Sequence, residues 1–287
     1  MKKNILIIGG SSLVGSTFLE MFYEKYNLIS TYHHSKPTNS LKFKIDLTKK
    51  NAFNKLQHLE NKLDYIIWCA QDHKSKLNQK INQNVNFYGL QMALEFYKKT
   101  TAKNFLFFST GSVYKNSKNI LLENSDIFPE SYYGWSKLFG EKLCFNYHKE
   151  HKLNFIILRP FYIFGKNQKD KLFFEIKKKI IEKKTINLAK GIGMTFNYCY
   201  VDDLCRIIDI LINSKNTSFD VFNISSDKKI NIKTLINEID KQLKTKTKIQ
   251  FTDDTTLYSL SDNSKIKEKI KDFTFTKFED SIRFFLG

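Results

Sequence analysis

Cysteine and long apolar runs are both scarce in this chain of 287 residues. The 4 cysteines are dispersed and form no Cys-x-x-Cys pair, so neither a disulfide framework nor a zinc site is expected, and they are interpreted as small buried side chains. No apolar run approaches the roughly 18–20 residues that a membrane helix needs. The apolar stretch after Met1-Lys2-Lys3 is too short for a signal-peptide core. We therefore expect a cytoplasmic protein without a membrane contact.

Arginine is the second scarcity, and it limits the meaning of the net charge of +18. Such a charge ordinarily suggests a nucleic-acid partner. Proteins that read bases rely on arginine forks, and this chain has only Arg159, Arg206 and Arg283. The positive excess is lysine spread along the whole chain. We therefore expect no nucleic-acid partner, and infer only that small anionic molecules are attracted.

What the chain does contain is an alternation of short apolar runs with amphipathic helical patterns. This order predicts an α/β fold: a Rossmann-type, doubly wound parallel sheet followed by a smaller C-terminal substrate lobe. The predicted strands are 4–8, 28–32, 42–45, 65–68, 105–108, 154–158 and 220–223. The predicted helices include 51–59, 77–98, 132–151, 172–184, 201–213, 232–243 and 278–286, with a loop or short strand at 185–193.

A glycine-rich turn connects the first strand to the first helix. It reads Gly9-Gly10-Ser11-Ser12-Leu13-Val14-Gly15. A strand, a glycine-rich turn and a helix in this order are the setting that a dinucleotide-phosphate loop requires, because backbone N–H groups at the helix N-terminus face a pyrophosphate. An ordinary strand-to-helix turn is the alternative.

The end of the second strand bears on the choice of dinucleotide. A carboxylate there accepts a hydrogen bond from the 2′-hydroxyl of NAD, whereas basic groups suit the 2′-phosphate of NADP. The sequence continues Tyr32-His33-His34-Ser35-Lys36 and has no carboxylate before Asp46, which Leu47 follows. We therefore predict NADP(H) in preference to NAD(H).

A Tyr-x-x-x-Lys motif begins a predicted helix at Tyr133 and Lys137. Residues at i and i+4 share a helix face, with Cβ atoms roughly 5–6 Å apart. A free tyrosine titrates at about 10, so bringing it near 7 takes about 4 kcal/mol. One cation at about 4 Å and an effective dielectric of about 20 supplies about that much. The motif also occurs at Tyr32, Tyr114 and Tyr162, so position must choose among the four.

Further motifs in sequence order make the chain resemble the NAD(P)-dependent epimerase/dehydratase family, the extended short-chain dehydrogenases that act on nucleotide sugars. The resemblance covers nearly the whole chain, and it selects Tyr133 among the four tyrosines. The motifs that match the family are Gly9-x-x-Ser12-x-x-Gly15, Asn86-x-x-Gly89, Ser109 to Tyr114, Tyr133 to Lys137, Leu158 to Gly165, Tyr200 to Asp203 and Leu260 to Lys265.

The resemblance implies a catalytic triad. Tyr133 would exchange a proton with a sugar oxygen, Lys137 would hold the nicotinamide ribose and lower the pKa of Tyr133, and Thr110 would hydrogen-bond the same sugar oxygen. The implied cofactor contacts are Gly9, Ser11, Ser12, Leu13, Gly15, His33, Lys36, Asp46, Leu47, Cys69, Ala70, Asn86, Ser109, Tyr133, Lys137, Pro160 and Ile163. The implied substrate contacts are Gly111, Ser112, Tyr162 and Lys190.

Three positions depart from the family pattern. Ser12 replaces the middle glycine of the phosphate loop. Phe196 stands where many members have an arginine for the nucleotide diphosphate, a role that Lys166, Lys169, Lys171 or Lys190 would have to take over. Tyr162 stands where an asparagine often contacts the substrate.

The residues around Thr110 narrow the predicted reaction. The family's 4,6-dehydratases have Asp-Glu directly after the catalytic threonine, and here those positions are Gly111 and Ser112. Ser112 also replaces the cysteine of the 3,5-epimerase/4-reductases. We therefore predict an NADPH-dependent reductase of a 4-keto sugar nucleotide that serves surface-polysaccharide synthesis. The alternatives are an NAD-dependent C4-epimerase and a non-catalytic NADP-binding sensor or structural protein.

The family also implies an organisation of the chain and an assembly. The dinucleotide-binding domain is predicted at 1–164, with 196–224 returning to it, and the substrate lobe at 165–195 and 225–287. A homodimer is expected through a four-helix bundle of the long helix and the catalytic helix. Its candidate contacts, which could equally pack on the sheet, are Phe87, Leu90, Leu94, Leu138 and Phe145.

Overall fold

A computed structural model describes residues 1–72, 84–214 and 218–287. The strands are β1 Asn4–Ile8, β2 Asn27–Tyr32, β3 Leu41–Lys44, β4 Tyr65–Trp68, β5 Asn104–Phe108, β6 Phe155–Pro160, β7 Ile163–Phe164, β8 Ile186–Ala189, β9 Thr195–Asn197, β10 Cys199–Tyr200, β11 Phe219–Ile224, β12 Lys229–Asn231, β13 Ile249–Thr252 and β14 Tyr258–Ser259. The α-helices are α1 Leu13–Phe22, α2 Leu90–Tyr97, α3 Tyr132–His151, α4 Lys171–Ile181, α5 Val201–Asn213, α6 Ile232–Leu243, α7 Ser264–Lys269 and α8 Phe278–Leu286.

Seven strands form one sheet in the order β11-β6-β5-β4-β1-β2-β3. The pairs β1–β2, β1–β4, β2–β3, β4–β5 and β5–β6 are all parallel. β4 and β5 are buried along their whole length, as expected for parallel strands that helices cover on both faces. The fold is therefore the Rossmann-type parallel α/β sheet that the sequence predicts.

The described chain divides into two compact units. The first comprises 1–115, 127–159 and 207–222, and the second comprises 116–126, 160–206 and 223–287. Compared with the predicted domains, the stretches 116–126, 160–164, 196–206 and 223–224 group with the second unit.

Each unit has a core of its own. The first core surrounds Trp68, Leu90, Phe105 and Phe155, where helix side chains meet the apolar strands. The second core is rich in aromatic rings, and the rings of Phe164 and Phe173 stack with centroids 3.9 Å apart. Short sheets frame it, in the orders β12-β9-β14, β10-β7 and β13-β8. None of the helices that the structure describes is long and apolar enough to cross a bilayer.

The predicted helix over 77–98 differs from the observed backbone. Residues 77–83 lie outside the described part of the chain. Asn84 has an extended backbone, and its side chain accepts a hydrogen bond from the Asn86 N–H, so it caps a helix that begins after it. A π-helical turn, Val85–Gly89, precedes α2. The prediction of a continuous helix through Asn84 is wrong, because its backbone is extended and its side chain caps the helical turn that begins at Val85.

Candidate active site

The glycine-rich turn after β1 is shaped by close backbone contacts. Gly9 has a φ of +93°, and a Cβ at this position would lie 2.6 Å from the Ala70 nitrogen. A Cβ on Gly15 would lie 2.5 Å from the Gly9 oxygen. Both positions therefore require glycine. Ser12, the departure from the family pattern, accepts a hydrogen bond from the Gly15 N–H at 3.1 Å and is the N-cap of α1.

This turn fits the pyrophosphate of a dinucleotide. It leads directly into the N-terminus of a ten-residue helix that has no acidic side chain in its first turn, where partial positive charge attracts phosphate. Ser11 is exposed and Leu13 half-buried at the mouth of the turn. The predicted contacts of the phosphate loop therefore lie together in the structure.

The carboxyl end of β2 carries imidazole groups. His33 and His34 are exposed, with ring centroids 4.1 Å apart, and Lys36 is exposed beside them. Asp46 accepts hydrogen bonds from the Thr48 N–H at 3.0 Å and from its hydroxyl at 2.6 Å. These bonds are the main reason why the pKa of Asp46 is lowered, and the charge of His33 adds to the effect. Leu47 follows and lies against Gly89.

The helix that carries the Tyr-x-x-x-Lys motif is seated tightly on the turn after β5. Ser131 caps α3 by accepting a hydrogen bond from the Gly134 N–H at 3.1 Å. A Cβ on Gly134 would lie 2.4 Å from the Ser112 carbonyl oxygen. The glycine of the motif therefore allows the first turn of α3 to touch the backbone that carries Thr110.

Lys137 is buried, with 3% of its surface exposed. Its Nζ donates a hydrogen bond to the Phe108 carbonyl at 2.8 Å and lies 5.9 Å from the centroid of the Tyr133 ring. Burial lowers the pKa of Lys137 to about 8, and only the neighbouring Cys69 thiol acts in the opposite direction.

The pKa of Tyr133 is raised, in contrast to the expectation that Lys137 lowers it. Burial is the largest cause, and hydrogen bonds with the side chains of Thr110 and Gln71 oppose it. The Lys137 ammonium group donates its hydrogen bond to the Phe108 carbonyl. The phenol is therefore held in its protonated form at neutral pH, with two polar side chains at its oxygen.

The hydroxyl groups at the end of β5 have separate tasks. Thr110 is buried, and its Oγ1 accepts a hydrogen bond from the Ser112 N–H at 3.2 Å. This bond orients the hydroxyl that contacts Tyr133. Ser109 instead donates its hydroxyl proton to Glu141 Oε1. Gly111 is half-buried and Ser112 exposed in the 3₁₀ turn Gly111–Val113.

Glu141 belongs to a buried ion pair that the sequence reasoning missed. It accepts two hydrogen bonds from Arg159, at 2.9 Å from Nε and 2.7 Å from Nη2, while Arg159 Nη1 donates to the Tyr114 hydroxyl at 2.8 Å. Tyr133, Lys137 and Glu141 are spaced by four residues on one helix. A search for carboxylates at this spacing would have found Glu141.

The segment after β4 completes the cluster. The buried Asn86 side chain accepts from the Asp72 N–H and donates to the Asp72 carbonyl, both at 3.1 Å, and it reaches Ser136 Oγ at 3.5 Å. Asn86 thus holds the chain just beyond Gln71 against the helix of Tyr133. Gln71 itself, a contact of the phenol, was missed because sequence alone does not show which strand ends are adjacent.

Cys69 and Ala70 lie between β4 and Gln71, and both are buried. Burial raises the pKa of the Cys69 thiol to about 12, while the charge of Lys137 and a hydrogen bond with Ser12 act to lower it. Cys69 thus interacts both with Ser12 of the phosphate loop and with Lys137. All four cysteines are buried and free.

The remaining predicted residues lie in the second unit. Pro160 ends β6 and Ile163 begins β7. Tyr162 has a φ of +41°, packs against Phe196 with ring centroids 4.6 Å apart and donates a hydrogen bond to Met194 Sδ at 3.2 Å. Phe196 is fully buried. The exposed Lys190 pairs with Asp253 at 3.2 Å.

The fold is shared with solved epimerase structures. The structure of UDP-glucuronic acid 4-epimerase from Bacillus cereus in complex with NAD has a TM-score of 0.86 and 22% sequence identity, covering 98% of this chain and 95% of that one. At this identity the likeness demonstrates the fold.

The curated relatives include a 4-epimerase and a reductase. The chain is 23% identical over 252 residues to N-acetyl-alpha-D-glucosaminyl-diphospho-ditrans,octacis-undecaprenol 4-epimerase of Escherichia coli O157:H7, covering 86% of this chain and 74% of that protein. It is 26% identical over 279 residues to dTDP-4-dehydro-6-deoxyglucose reductase of Escherichia coli, covering 88% and 85%. An uncharacterized UDP-glucose epimerase of Bacillus subtilis is 27% identical over 169 residues, which span 58% of this chain and about half of that relative, 54%.

The sequence profile of the family described as NAD dependent epimerase/dehydratase matches residues 5–225, which include the phosphate loop, Thr110, Tyr133 and Lys137. The match covers most of the chain and includes every strand of the seven-stranded sheet except the first residue of β1. This chain belongs to the NAD-dependent epimerase/dehydratase family.

Proposed function

We propose that this chain is a C4-epimerase of a nucleotide-linked sugar. The observation that carries the proposal is the half-buried Tyr133 side chain, one turn before Lys137 on α3, whose phenol is hydrogen-bonded by Thr110 and Gln71. An acid at a sugar oxygen needs such a setting, since its proton must pass only to the substrate. Epimerases among the relatives and among the structures of the same fold support the choice of reaction.

The residues of this chain divide the proposed work. A bound nicotinamide dinucleotide supplies the acceptor and donor of hydride. Gly9, Ser12 and Gly15 would hold the phosphates of this cofactor, and Lys137 would hold its ribose. As the 4-keto sugar forms, Tyr133 would accept the proton of the sugar 4-hydroxyl in its phenolate form, which is the minor form at neutral pH because burial raises the pKa of the phenol. It returns that proton to the oxygen when the carbon is reduced from the opposite side.

A second candidate is the NADPH-dependent 4-ketoreductase. The end of β2 favours it, because residues 31–45 contain no carboxylate for a 2′-hydroxyl, while His33, His34 and Lys36 are exposed there. The raised pKa of Tyr133 also suits a group that only donates a proton. The relative that reduces a dTDP-linked 4-keto sugar is consistent with this candidate.

One experiment separates the candidates. Purified protein is mixed with NAD(H) or NADP(H) and a panel of UDP- and dTDP-linked sugars, including a 4-keto sugar. Sugar interconversion without net loss of reduced cofactor supports the epimerase. Consumption of NADPH with the keto sugar supports the reductase. Tight NADP binding with neither reaction would contradict both and favour a non-catalytic sensor.

The role of Tyr133 is tested by Tyr133→Phe. Removing the phenolic proton should lower turnover by about 10²- to 10⁴-fold, whichever of the two reactions the enzyme performs. The affinity for the cofactor, measured by fluorescence titration, should change little. A variant that retains wild-type turnover would remove Tyr133 from the proposed chemistry.

We also propose that the chain forms a homodimer in the cytoplasm. Of the predicted contacts, Leu90, Leu94 and Leu138 are buried within the unit, whereas Phe145 is 45% exposed. Trp135 and Phe139 on α3 are also exposed, at 49% and 42%, and an exposed aromatic face suits a partner surface. Trp135→Lys combined with Phe139→Glu should shift the species seen by analytical ultracentrifugation from dimer to monomer. A wild-type monomer would contradict the proposal.

A further inference from the structure

Gln71 lies at the same edge of the sheet as the catalytic hydroxyls. β4 and β5 pair in parallel with Trp68 opposite Phe107. Gln71 and Thr110 each lie three residues beyond this last pair, so both follow the carboxyl ends of neighbouring parallel strands. Both side chains hydrogen-bond Tyr133. The contact with the phenol is therefore the expected result of the strand register.

The backbone around Gln71 is held on its far side. Asp72 exchanges two hydrogen bonds, both at 3.1 Å, with the side chain of Asn86. Asn86 is itself fixed by a bond from its own N–H to Asn84 Oδ1 at 2.9 Å and by its contact with Ser136. Gln71 thus stands between a buried strand and a pinned residue, which is the kind of support that a precisely placed catalytic group needs.

Thr110 and Gln71 differ in how many partners they can serve. A threonine hydroxyl has one proton, whereas the amide of glutamine has two N–H donors and one oxygen. In the proposed reaction the Thr110 proton is required at the sugar oxygen. That single proton also has Ser112 Oγ as an acceptor at 3.4 Å, so Thr110 cannot remain a donor to the phenol once the sugar binds.

We propose that Gln71 is a catalytic residue whose amide N–H remains hydrogen-bonded to the Tyr133 oxygen throughout the reaction, so that Thr110 is released to bind the sugar. This inference rests on the proposed function for its catalytic meaning, and on the register and the contact for its geometry. When the sugar oxygen takes the proton of Tyr133, the phenol oxygen becomes negative and the Gln71 N–H stabilises that charge. When Tyr133 takes the proton back, the same bond persists to a neutral oxygen.

The charged and titratable groups near Tyr133 do not supply a hydrogen bond to its oxygen, so a neutral donor such as the Gln71 amide has to stabilise the negative charge. The ammonium of Lys137, on the same helix, is bonded to the Phe108 carbonyl. The Cys69 thiol, at the end of β4, keeps its proton at neutral pH because burial raises its pKa to about 12. The Asp72 carboxylate adjoins Gln71 in sequence, and it is not among the causes of the pKa shift of Tyr133.

The test is Gln71→Met, which keeps the length of the side chain and removes the donor. Turnover should fall about 10- to 100-fold, the usual effect of losing a hydrogen bond to a charged group. The pH at which the Tyr133 limb of the profile falls should rise by about 1–2. Gln57→Met, the same change at an exposed site of the first unit, should alter neither.

A second measurement does not depend on activity. In protein with ¹³C-labelled tyrosine rings, the resonance that disappears in Tyr133→Phe belongs to Tyr133. It should move in Gln71→Met at neutral pH and stay in place in Gln57→Met. An unmoved resonance would overturn the contact, and unchanged turnover of an active enzyme would overturn the catalytic role. A moved resonance in a protein without turnover on any sugar would instead locate the failure in the proposed function.

Discussion

Lys137 and Arg159 are two buried cations of the first unit, each with 3% of its surface exposed, and their surroundings are opposite in kind. Arg159 binds both oxygens of Glu141 and the hydroxyl of Tyr114, and its guanidinium lies 4.8 Å from the Tyr114 ring centroid. Lys137 is bonded to a single carbonyl, and no carboxylate pairs with it in the described part of the chain.

The pKa values follow from these surroundings. Burial acts to lower the pKa of Arg159, but the bonds and charge of Glu141, with help from Tyr114, outweigh it and the pKa is raised. Nothing comparable offsets burial at Lys137, whose pKa falls to about 8. A buried charge with a partner fixes the structure around it, whereas a buried charge without one is unstable until a ligand is bound. The contrast therefore separates a structural cation from a functional one.

The largest expected effect is on activity, through Lys137→Met. The substitution removes the ammonium that the proposed chemistry needs at the cofactor ribose and keeps an unbranched side chain of similar size. Turnover should fall by roughly a thousand-fold, with weaker cofactor binding. Kinetics and a cofactor titration measure both. If Lys137→Met retained activity while Arg159→Met abolished it in a folded protein, the two cations would have to exchange roles.

Breaking the ion pair should have the next largest effect, on stability. Glu141→Met leaves Arg159 as a buried charge without its carboxylate, which typically costs about 3–5 kcal/mol of unfolding free energy. The double variant Glu141→Met with Arg159→Met removes both charges and should be more stable than the single one. Urea unfolding measures the difference. A single variant as stable as the double one would show that the pair does not fix the structure.

Removing the charge of Lys137 should instead increase the free energy of unfolding. This gain should be present only below the pH at which the lysine of the unfolded chain loses its proton. The lysine titrates at 10.5 when unfolded and at about 8 when folded. Between these values the unfolded chain binds the proton and the folded chain does not, so the contribution of Lys137 to wild-type stability rises with pH in this window. Lys137→Met should therefore exceed wild type by about 3 kcal/mol at pH 7. This advantage should shrink between about pH 8 and 10.5.

Unfolding of both proteins across this range isolates the lysine, because every other titrating group is present in both, and Cys69, whose pKa responds to the Lys137 charge, titrates above the range at about 12. If the difference in unfolding free energy between the two proteins did not change with pH, burial of the charged lysine would not destabilise the folded state.

The same contrast explains what could be predicted from the sequence. The parallel strands and the helices 132–151, 201–213 and 232–243 have strong local patterns, and they were predicted at or near their observed bounds. The two-residue strands β7, β10 and β14 were missed, because they exist only through partners distant in sequence. The predicted long helix failed at Asn84, where one side-chain bond outweighs the helical periodicity.

Within the site, the sequence proposed residues that belong to a recognisable motif, including Thr110 at a strand end, and did not propose Gln71, which belongs to none. Gly9 and Gly15 are recognisable by their spacing between a strand and a helix, whereas Tyr133 and Lys137 share their spacing with three other pairs and are selected by the resemblance to the family. Gln71 depends on which strand lies beside β5. The direction of the Tyr133 pKa was also wrong, since spacing reveals a nearby lysine but not that its amine bonds a carbonyl instead.

The smallest expected effect is that of Tyr114→Phe, which removes one of the hydrogen bonds of Arg159 and leaves its ion pair with Glu141 in place. The variant loses the hydroxyl that Arg159 Nη1 contacts at 2.8 Å and keeps the aromatic ring beside the guanidinium. Because Glu141 still binds Arg159, we expect a loss of about 1–2 kcal/mol of unfolding free energy and turnover within a few-fold of wild type. Urea unfolding and steady-state kinetics of Tyr114→Phe and Tyr133→Phe, measured side by side, check this. If Tyr114→Phe were the inactive variant and Tyr133→Phe the active one, the proton donor would belong to the Arg159 cluster, and the separation of structural from functional cation would fail.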